Sequence, residues 1–357
     1  MGQIRWDDLY IGGVAASLGR KEPTAEAVAE GRYDADRNEV DGYLSVRVAD
    51  KGPAVDLAIA AANEAVDRAG PDVPDFAAVL HASYAHQGLD HFAAASYIQQ
   101  RTVRGSAMAL EVDQGSNGGL AALEVACAYL QARTEPASVL LTTSDRFVPP
   151  AWDRYRTDRG TVFGDGGTAL VLSRGDTEGG RGKVAKVLST AIVGDTRFVD
   201  LYIGEEPWTD ASGEAWPLDL CARRDGYLAL HGLDVLLELM LTVAKRQRAT
   251  IETALTDAGL TSGEVQWWAF PNMGRQVIDW EFRRMLGIDE DRTTWEWGRR
   301  VGHLGAGDTF GALAHLVESG AAKAGDKVVL FSIGQGDNYG CAVVEVLEER
   351  TWERTAS

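Results

Sequence analysis

Gln114-Gly115-Ser116-Asn117-Gly118 follows a β-rich run at 107–113 (AMALEVD) and precedes an apolar, helix-like run at 119–130. A strand, a tight glycine turn and a helix in that order form an elbow that holds a small nucleophilic side chain exposed at a helix N-terminus. The free backbone N–H groups of such a terminus favour negative charge on a bound acyl oxygen, which is the geometry acyl transfer needs. Ser and Asn are also the ordinary residues of a helix N-cap, so the stretch alone admits both readings.

A second stretch narrows the choice. Gly302-His303-Leu304-Gly305-Ala306-Gly307-Asp308 heads another apolar helix-like run at 310–317 and sets a histidine and an aspartate five residues apart among glycines. A serine is activated by a base within hydrogen-bond reach and by an acid that orients the base, and this pair supplies both. The bland alternative is a loop histidine followed by a capping aspartate.

Outward from these stretches the chain alternates helix-like runs (55–69, 92–101, 228–258) with strand-like runs (77–84, 138–144, 328–333), which predicts an α/β protein with largely buried sheets. The strand-like pair 138–144 and 166–172 is echoed by 327–333 and 339–345. Each pair follows a helix whose N-terminus carries a candidate catalytic residue, Ser116 in one case and His303 in the other. The pattern predicts an internal duplication, 1–175 with the nucleophile and 183–357 with the His/Asp pair, whose two helix N-termini face one shared site. The charged, glycine-rich stretch 174–182 joins the halves.

A net charge of −18 over 357 residues argues against nucleic acid as the main partner, because phosphate binding needs a basic surface. An acidic carrier protein would have to dock on a local basic patch, for which Arg283 with Arg284 and Arg299 with Arg300 are the candidates; both are also ordinary solvated surface. No targeting or membrane segment is visible, which predicts a cytoplasmic protein with no membrane partner. The three cysteines, Cys127, Cys221 and Cys341, form no metal or disulfide pattern, and Cys127 and Cys341 lie in apolar runs. His81, His86 and His91 lack zinc spacing, so no metal is expected, and His86 is the best pocket-liner among them. Trp267, Trp268, Trp280, Trp295 and Trp297 read first as core, with Trp295 or Trp297 also able to line an acceptor site.

Three further motifs carry a resemblance. Phe163-Gly164-Asp165-Gly166-Gly167-Thr168-Ala169, Pro271-Asn272-Met273-Gly274-Arg275 and Gly334-Gln335-Gly336-Asp337-Asn338-Tyr339-Gly340, with the Ser116 elbow, resemble the thiolase superfamily, in its β-ketoacyl-ACP synthase III branch, over nearly the whole length. The resemblance implies an α/β thiolase fold, five-layered αβαβα and built from two pseudo-repeated halves. Condensing members carry Cys, His and Asn where this chain reads Ser116, Phe270 and His303. A phenyl ring cannot donate a hydrogen bond, so the usual condensing machinery is broken. The pattern is similar to the acyltransferase subgroup of synthase III-like proteins in natural-product (polyketide and antibiotic) pathways.

By that resemblance Ser116, His303 and Asp308 form a catalytic triad, and the backbone N–H groups of Ser116 and Gly336 form an oxyanion hole. Asn272, Arg275, Phe270 and His86 are candidate substrate contacts; Asn272 also reads as a turn residue and Arg275 as an ion-pair partner. The implied reaction moves an acyl group, for example a methylsalicylyl group, through acyl-Ser116 to a hydroxyl or amine of a sugar or aminocyclitol. The donor is a phosphopantetheine thioester on an acyl carrier protein or coenzyme A, with no tightly bound cofactor, and the enzyme is a homodimer. Two other readings stay open: a Ser-dependent starter-unit synthase that still condenses, and a non-catalytic or hydrolytic homologue that binds acyl carriers. The course of residues 197–224, on which pocket shape depends, is not legible.

Overall fold

The computed structural model describes residues 4–175, 183–278 and 280–348, so most of the expected joining stretch, 176–182, lies outside the described residues. The first half runs β1 (Leu9–Leu18), β2 (Arg20–Pro23), α1 (Thr24–Ala29), α2 (Ala35–Asp41), β3 (Ser45–Val48), α3 (Ala54–Ala69), β4 (Phe76–Ala82), α4 (Ala94–Arg101), β5 (Met108–Val112), α5 (Gly118–Gln131), β6 (Ala137–Asp145) and β7 (Gly166–Arg174). The second runs β8 (Ala185–Gly194), α6 (Leu220–His231), α7 (Leu233–Ala258), β9 (Trp267–Ala269), α8 (Trp280–Met285), α9 (Trp295–Gly298), α10 (Asp308–Glu318), β10 (Lys327–Gly334) and β11 (Asn338–Val346).

The large sheet has the order β5-β4-β6-β7-β1-β8-β11-β10-β9. Read outward from the β1/β8 seam, β1-β7-β6-β4 matches β8-β11-β10-β9 strand for strand, which is the expected repeat. The seam is narrow: Tyr10 and Ile11 pair with Lys186 and Ala185, whereas β1 with β7 and β8 with β11 pair along their lengths. The halves are therefore two sheets that face each other.

Strand side chains alternate between faces, and here both faces are covered. Val139 and Leu141 of β6, with Val328 and Leu330 of β10, point to a central layer made by Leu120, Leu123 and Leu130 of α5 and Phe310, Leu313 and Leu316 of α10. The intervening residues point outward: Leu140 meets the alanine face of α3 (Ala58, Ala61, Ala62, Ala65), and Val329 and Phe331 meet Ile251, Ala254 and Leu255 of α7. Gly13 lets α3 sit close on β1, since a Cβ there would lie 2.0 Å from the Ala65 carbonyl oxygen. The layers are thus helix, sheet, helix, sheet, helix. Burying each central leucine contributes about 1.5–3 kcal/mol, so α5 and α10 are fixed end to end and their N-termini are rigid platforms.

One expectation is corrected. The run 228–258 is two helices, because Gly232 adopts φ +81° and ends α6 before α7 begins. Among the described residues no single helix is long and apolar enough to cross a membrane.

Candidate active site

Both central helices are entered the same way. A short 3-10 turn, Gly115–Asn117, leads into α5, and another, Gly305–Gly307, leads into α10. Each starts with a glycine in the left-handed region, Gly115 at φ +53° and Gly305 at φ +61°. At Gly115 a Cβ would come within 2.9 Å of the Gln335 backbone nitrogen, so the Gly334–Gly340 loop presses directly on the serine turn. Gly334 and Gly340 are tight for the same reason, their Cβ positions falling 2.0 Å from the Gln114 carbonyl oxygen and 2.1 Å from Asn117 Oδ1. The Ser332 hydroxyl donates to the Ser116 carbonyl at 2.9 Å and ties β10 to the turn.

The Ser116 hydroxyl lies 2.8 Å from His303 Nε2, and His303 Nδ1 lies 2.6 Å from Asp308 Oδ2. With Asp308 ionised, Nδ1 must carry the proton, which leaves the Nε2 lone pair to accept from Ser116. His303 is held from both sides by backbone: its N–H donates to the Val162 carbonyl at 2.8 Å and its carbonyl accepts from Gly164 at 2.9 Å. The Phe163 ring packs 5.7 Å from the imidazole.

Burial works to discharge the imidazole, but the surrounding carboxylates, Asp308 first and then Asp145 and Asp158, together hold the His303 pKa above its ordinary value near 6.5. Asp308 is buried and accepts three further N–H groups, from Leu304 at 2.7 Å, Asn272 backbone at 2.8 Å and Asn272 Nδ2 at 3.0 Å. Its rotamer is therefore fixed by partners other than the histidine.

The remaining candidates fall elsewhere. Asn272 is buried and spends its amide on Asp308 and on the Gly302 carbonyl, and its own carbonyl accepts from the Tyr43 hydroxyl. Its backbone N–H and side-chain amide both hold the Asp308 carboxylate. Arg275 makes a two-pronged pair with Glu290 at 2.7 Å on the surface, the ion-pair alternative. Phe270 stacks on Trp268 and lies under the Arg283 guanidinium, 3.8 Å from its ring centroid, so its ring is packed in the outer core and not offered to a ligand. That contact also removes buried Arg283 from the surface, while Arg299 and Arg300 both pair with Glu296. His86 is half exposed beside Asp90, away from the cavity described next.

A cavity of about 560 Å³ reaches the serine turn. Its floor is Asp113, Gln114 and Gly115 with Gln335 and Gly336, and its wall is the segment 199–209, with Tyr202, Pro207 and Trp208, together with Arg223. The size suits a small-molecule site. The wall is pinned by Tyr202, whose hydroxyl donates to Asp337 at 3.3 Å, and by the Arg223–Glu206 pair. Sequence reasoning missed Ser332 and the hold of Asn272 on Asp308; it named 197–224 as shaping the pocket without tracing the course of the wall.

Comparison with known proteins bears on the family and the fold. Residues 110–191 match 3-oxoacyl-[acyl-carrier-protein (ACP)] synthase III, and residues 255–346 match the C-terminal part of the same family. A β-ketoacyl-[acyl-carrier-protein] synthase III of Dinoroseobacter shibae is 30% identical over 296 residues, covering 81% of this chain and 83% of the relative. The solved structure of ChlB3, described as an acyltransferase, superposes with a TM-score of 0.89 at 31% identity, covering 97% of this chain and all of that one. Synthase III (FabH) of Pseudomonas aeruginosa PAO1 shares the fold at a TM-score of 0.75 and 20% identity, over 96% of this chain and all of that one. With the thiolase fold, the matched segments and a relative at this identity over most of its length, the chain belongs to the β-ketoacyl-acyl-carrier-protein synthase III family.

Proposed function

We propose that the chain is a non-condensing acyltransferase that works through an acyl-Ser116 intermediate. The observation that carries the reading is the continuous chain Ser116 Oγ, His303 Nε2, His303 Nδ1, Asp308 Oδ2, at 2.8 and 2.6 Å. The likeness to ChlB3, itself described as an acyltransferase, supports it. In the first step His303 takes the hydroxyl proton as Ser116 Oγ attacks the thioester carbonyl; the backbone N–H groups of Ser116 and Gly336 receive the oxyanion. The tetrahedral species collapses, and the departing thiolate takes the proton from His303. In the second step His303 deprotonates an acceptor hydroxyl or amine, which attacks the serine ester and returns the proton to Ser116. Asp308 keeps the proton on Nδ1 in both steps and stays ionised.

The donor is a phosphopantetheine thioester on an acyl carrier protein or coenzyme A. The acceptor is a sugar or aminocyclitol, and an aromatic polyketide acid such as methylsalicylyl is the acyl group we favour. The setting is a cytoplasmic natural-product pathway. The molecule acts as a homodimer: β5 is an edge strand that pairs on one side with β4 and leaves Met108 and Leu110 exposed beside the serine elbow. The family's synthases favour a second reading, a Ser-dependent starter-unit synthase.

Incubation with acyl thioesters without acceptor is expected to add one acyl mass to the Ser116 peptide, and S116A to abolish it. Labelling at another residue would refute covalent catalysis at Ser116. Carbon dioxide release with malonyl carrier protein would favour the synthase.

A further inference from the structure

Asp145 closes β6 and is completely buried. Its Oδ1 accepts the N–H groups of Tyr84 and Ala85, both at 2.6 Å, and its Oδ2 accepts the Ala306 N–H at 3.1 Å. Tyr84 leans on the serine turn, its ring 3.3 Å from where a Gly115 Cβ would stand, and Ala306 belongs to the turn that follows His303. Gly305 has no room for a side chain because Asp145 Oδ2 would lie 2.0 Å from its Cβ. One carboxyl thus touches the turn that follows His303 and the segment whose Tyr84 ring packs on the serine turn.

Among the described residues no cation is in contact with this carboxyl. The adjacent Arg146 points the other way and donates to the carbonyls of Gly52, Ala49 and Asp50. A buried carboxyl held only by backbone dipoles is costly unless a positive charge is near when it matters. The nearby group that becomes positive during acyl transfer is His303. We propose that Asp145 is a positioning residue whose buried negative charge, held beside the turn that follows His303, stabilises the His303 imidazolium together with Asp308, so that the base works against two carboxyls. This rests on the reading of His303 as the general base.

The electrostatic surroundings agree. Burial outweighs the pull of the three N–H groups and of the charge on His303, and the Asp145 carboxyl is left pushed up to about 7. The groups that face His303 are Asp308 from α10, Asp145 from β6, Asp158 from the preceding loop, the Ser116 hydroxyl and the Phe163 ring. Asp145 faces the backbone N–H groups, His303 and the Tyr84 phenol.

The test is NMR titration of His303 in protein labelled at histidine, with H303Q identifying its signal among the six histidines. In D145N the imidazolium loses a counter-charge, so its midpoint is expected to fall by about one pH unit. A midpoint unchanged from wild type overturns the proposal. If D145N does not fold, the reciprocal measurement decides: in H303Q the Asp145 carboxyl, followed by carbon-13 labelling, should titrate at higher pH than in wild type, and an unmoved midpoint overturns the proposal equally. A purely structural staple would alter stability without moving either midpoint. Rates of Ser116 modification by a fluorophosphonate, measured alongside, test the base reading separately: H303Q should slow labelling steeply, and normal labelling would remove the premise.

Discussion

Replacing Asp308 by asparagine tests the triad more sharply than deleting it. The carboxylate accepts from Leu304 and Asn272 Nδ2 on one oxygen and from Asn272 backbone and His303 Nδ1 on the other. An asparagine turns one oxygen into an NH2 group, and either orientation confronts two donors with a donor. With the NH2 toward His303, the imidazole must flip its proton to Nε2, where it can no longer accept from Ser116. With the NH2 the other way, Leu304 and Asn272 lose their acceptor. Each stranded buried donor costs about 1–3 kcal/mol, so D308N is expected to lose roughly 2–6 kcal/mol before relaxation. Loss of the correct tautomer or of its orientation should slow acylation on the order of 10^2 to 10^4. H303A should be slower still, because it removes the base from both steps, while its fold is spared a stranded carboxylate cluster by the three N–H groups that remain on Asp308. The assay is the rate of appearance of acyl-Ser116 by intact mass, with urea unfolding of the same samples to separate chemistry from stability. Acylation by D308N at the wild-type rate, or by H303A within about threefold of it, would refute the triad.

The acylation rate should rise with pH through a midpoint above 6.5, because neutral His303 is the base and Asp308 holds its folded pKa high; in D308N any residual activity should show a lower midpoint. G305A places a Cβ 2.0 Å from Asp145 Oδ2 at φ +61°, and should destabilise the fold by roughly 2–5 kcal/mol in chemical unfolding; a change below about 1 kcal/mol would contradict the packing described. Asn272→Ala should lower both stability and acylation without changing the KM for the thioester, since its amide serves Asp308; a selective KM effect would restore it as a substrate contact. Sedimentation should give a dimer at micromolar concentration, and charge substitution at Leu110 on the β5 edge should weaken it; a wild-type monomer would contradict the homodimer.

The sequence made the scaffold legible because its signals are local and repeated. Both faces of β6 and β10 are buried, so 138–144 and 328–333 read as short runs of apolar and small hydroxyl residues without a charge or a glycine, and the strand-strand spacing recurs after each central helix. The two glycine turns were legible for a related reason. A backbone at positive φ under a tightly packed neighbour leaves glycine little competition, at Gly115 against Gln335 and at Gly305 against Asp145. Where a break depends on one residue inside an apolar run, as Gly232 does between α6 and α7, periodicity runs straight through it.

What was hidden is everything made by groups distant in the chain that meet without a pattern. Ser332 reaches the Ser116 carbonyl across 216 positions, and Asp145 reaches Ala306 across 161, each as one polar residue in an otherwise unremarkable strand. Asn272 was noticed for its motif, but its hold on Asp308 was not, because a turn asparagine next to a proline shows nothing of a carboxylate 36 positions away. Phe270 shows the same limit in reverse. Its position in a family motif suggested a contact with substrate, whereas the guanidinium of Arg283 and the ring of Trp268 already occupy its faces. A motif reports which residues share a loop; which way each side chain turns is settled by the partners that fill the space around it. For this chain those partners gather on the carboxylate of Asp308, so under the proposed mechanism the orientation of His303 rests on how firmly that one group is held.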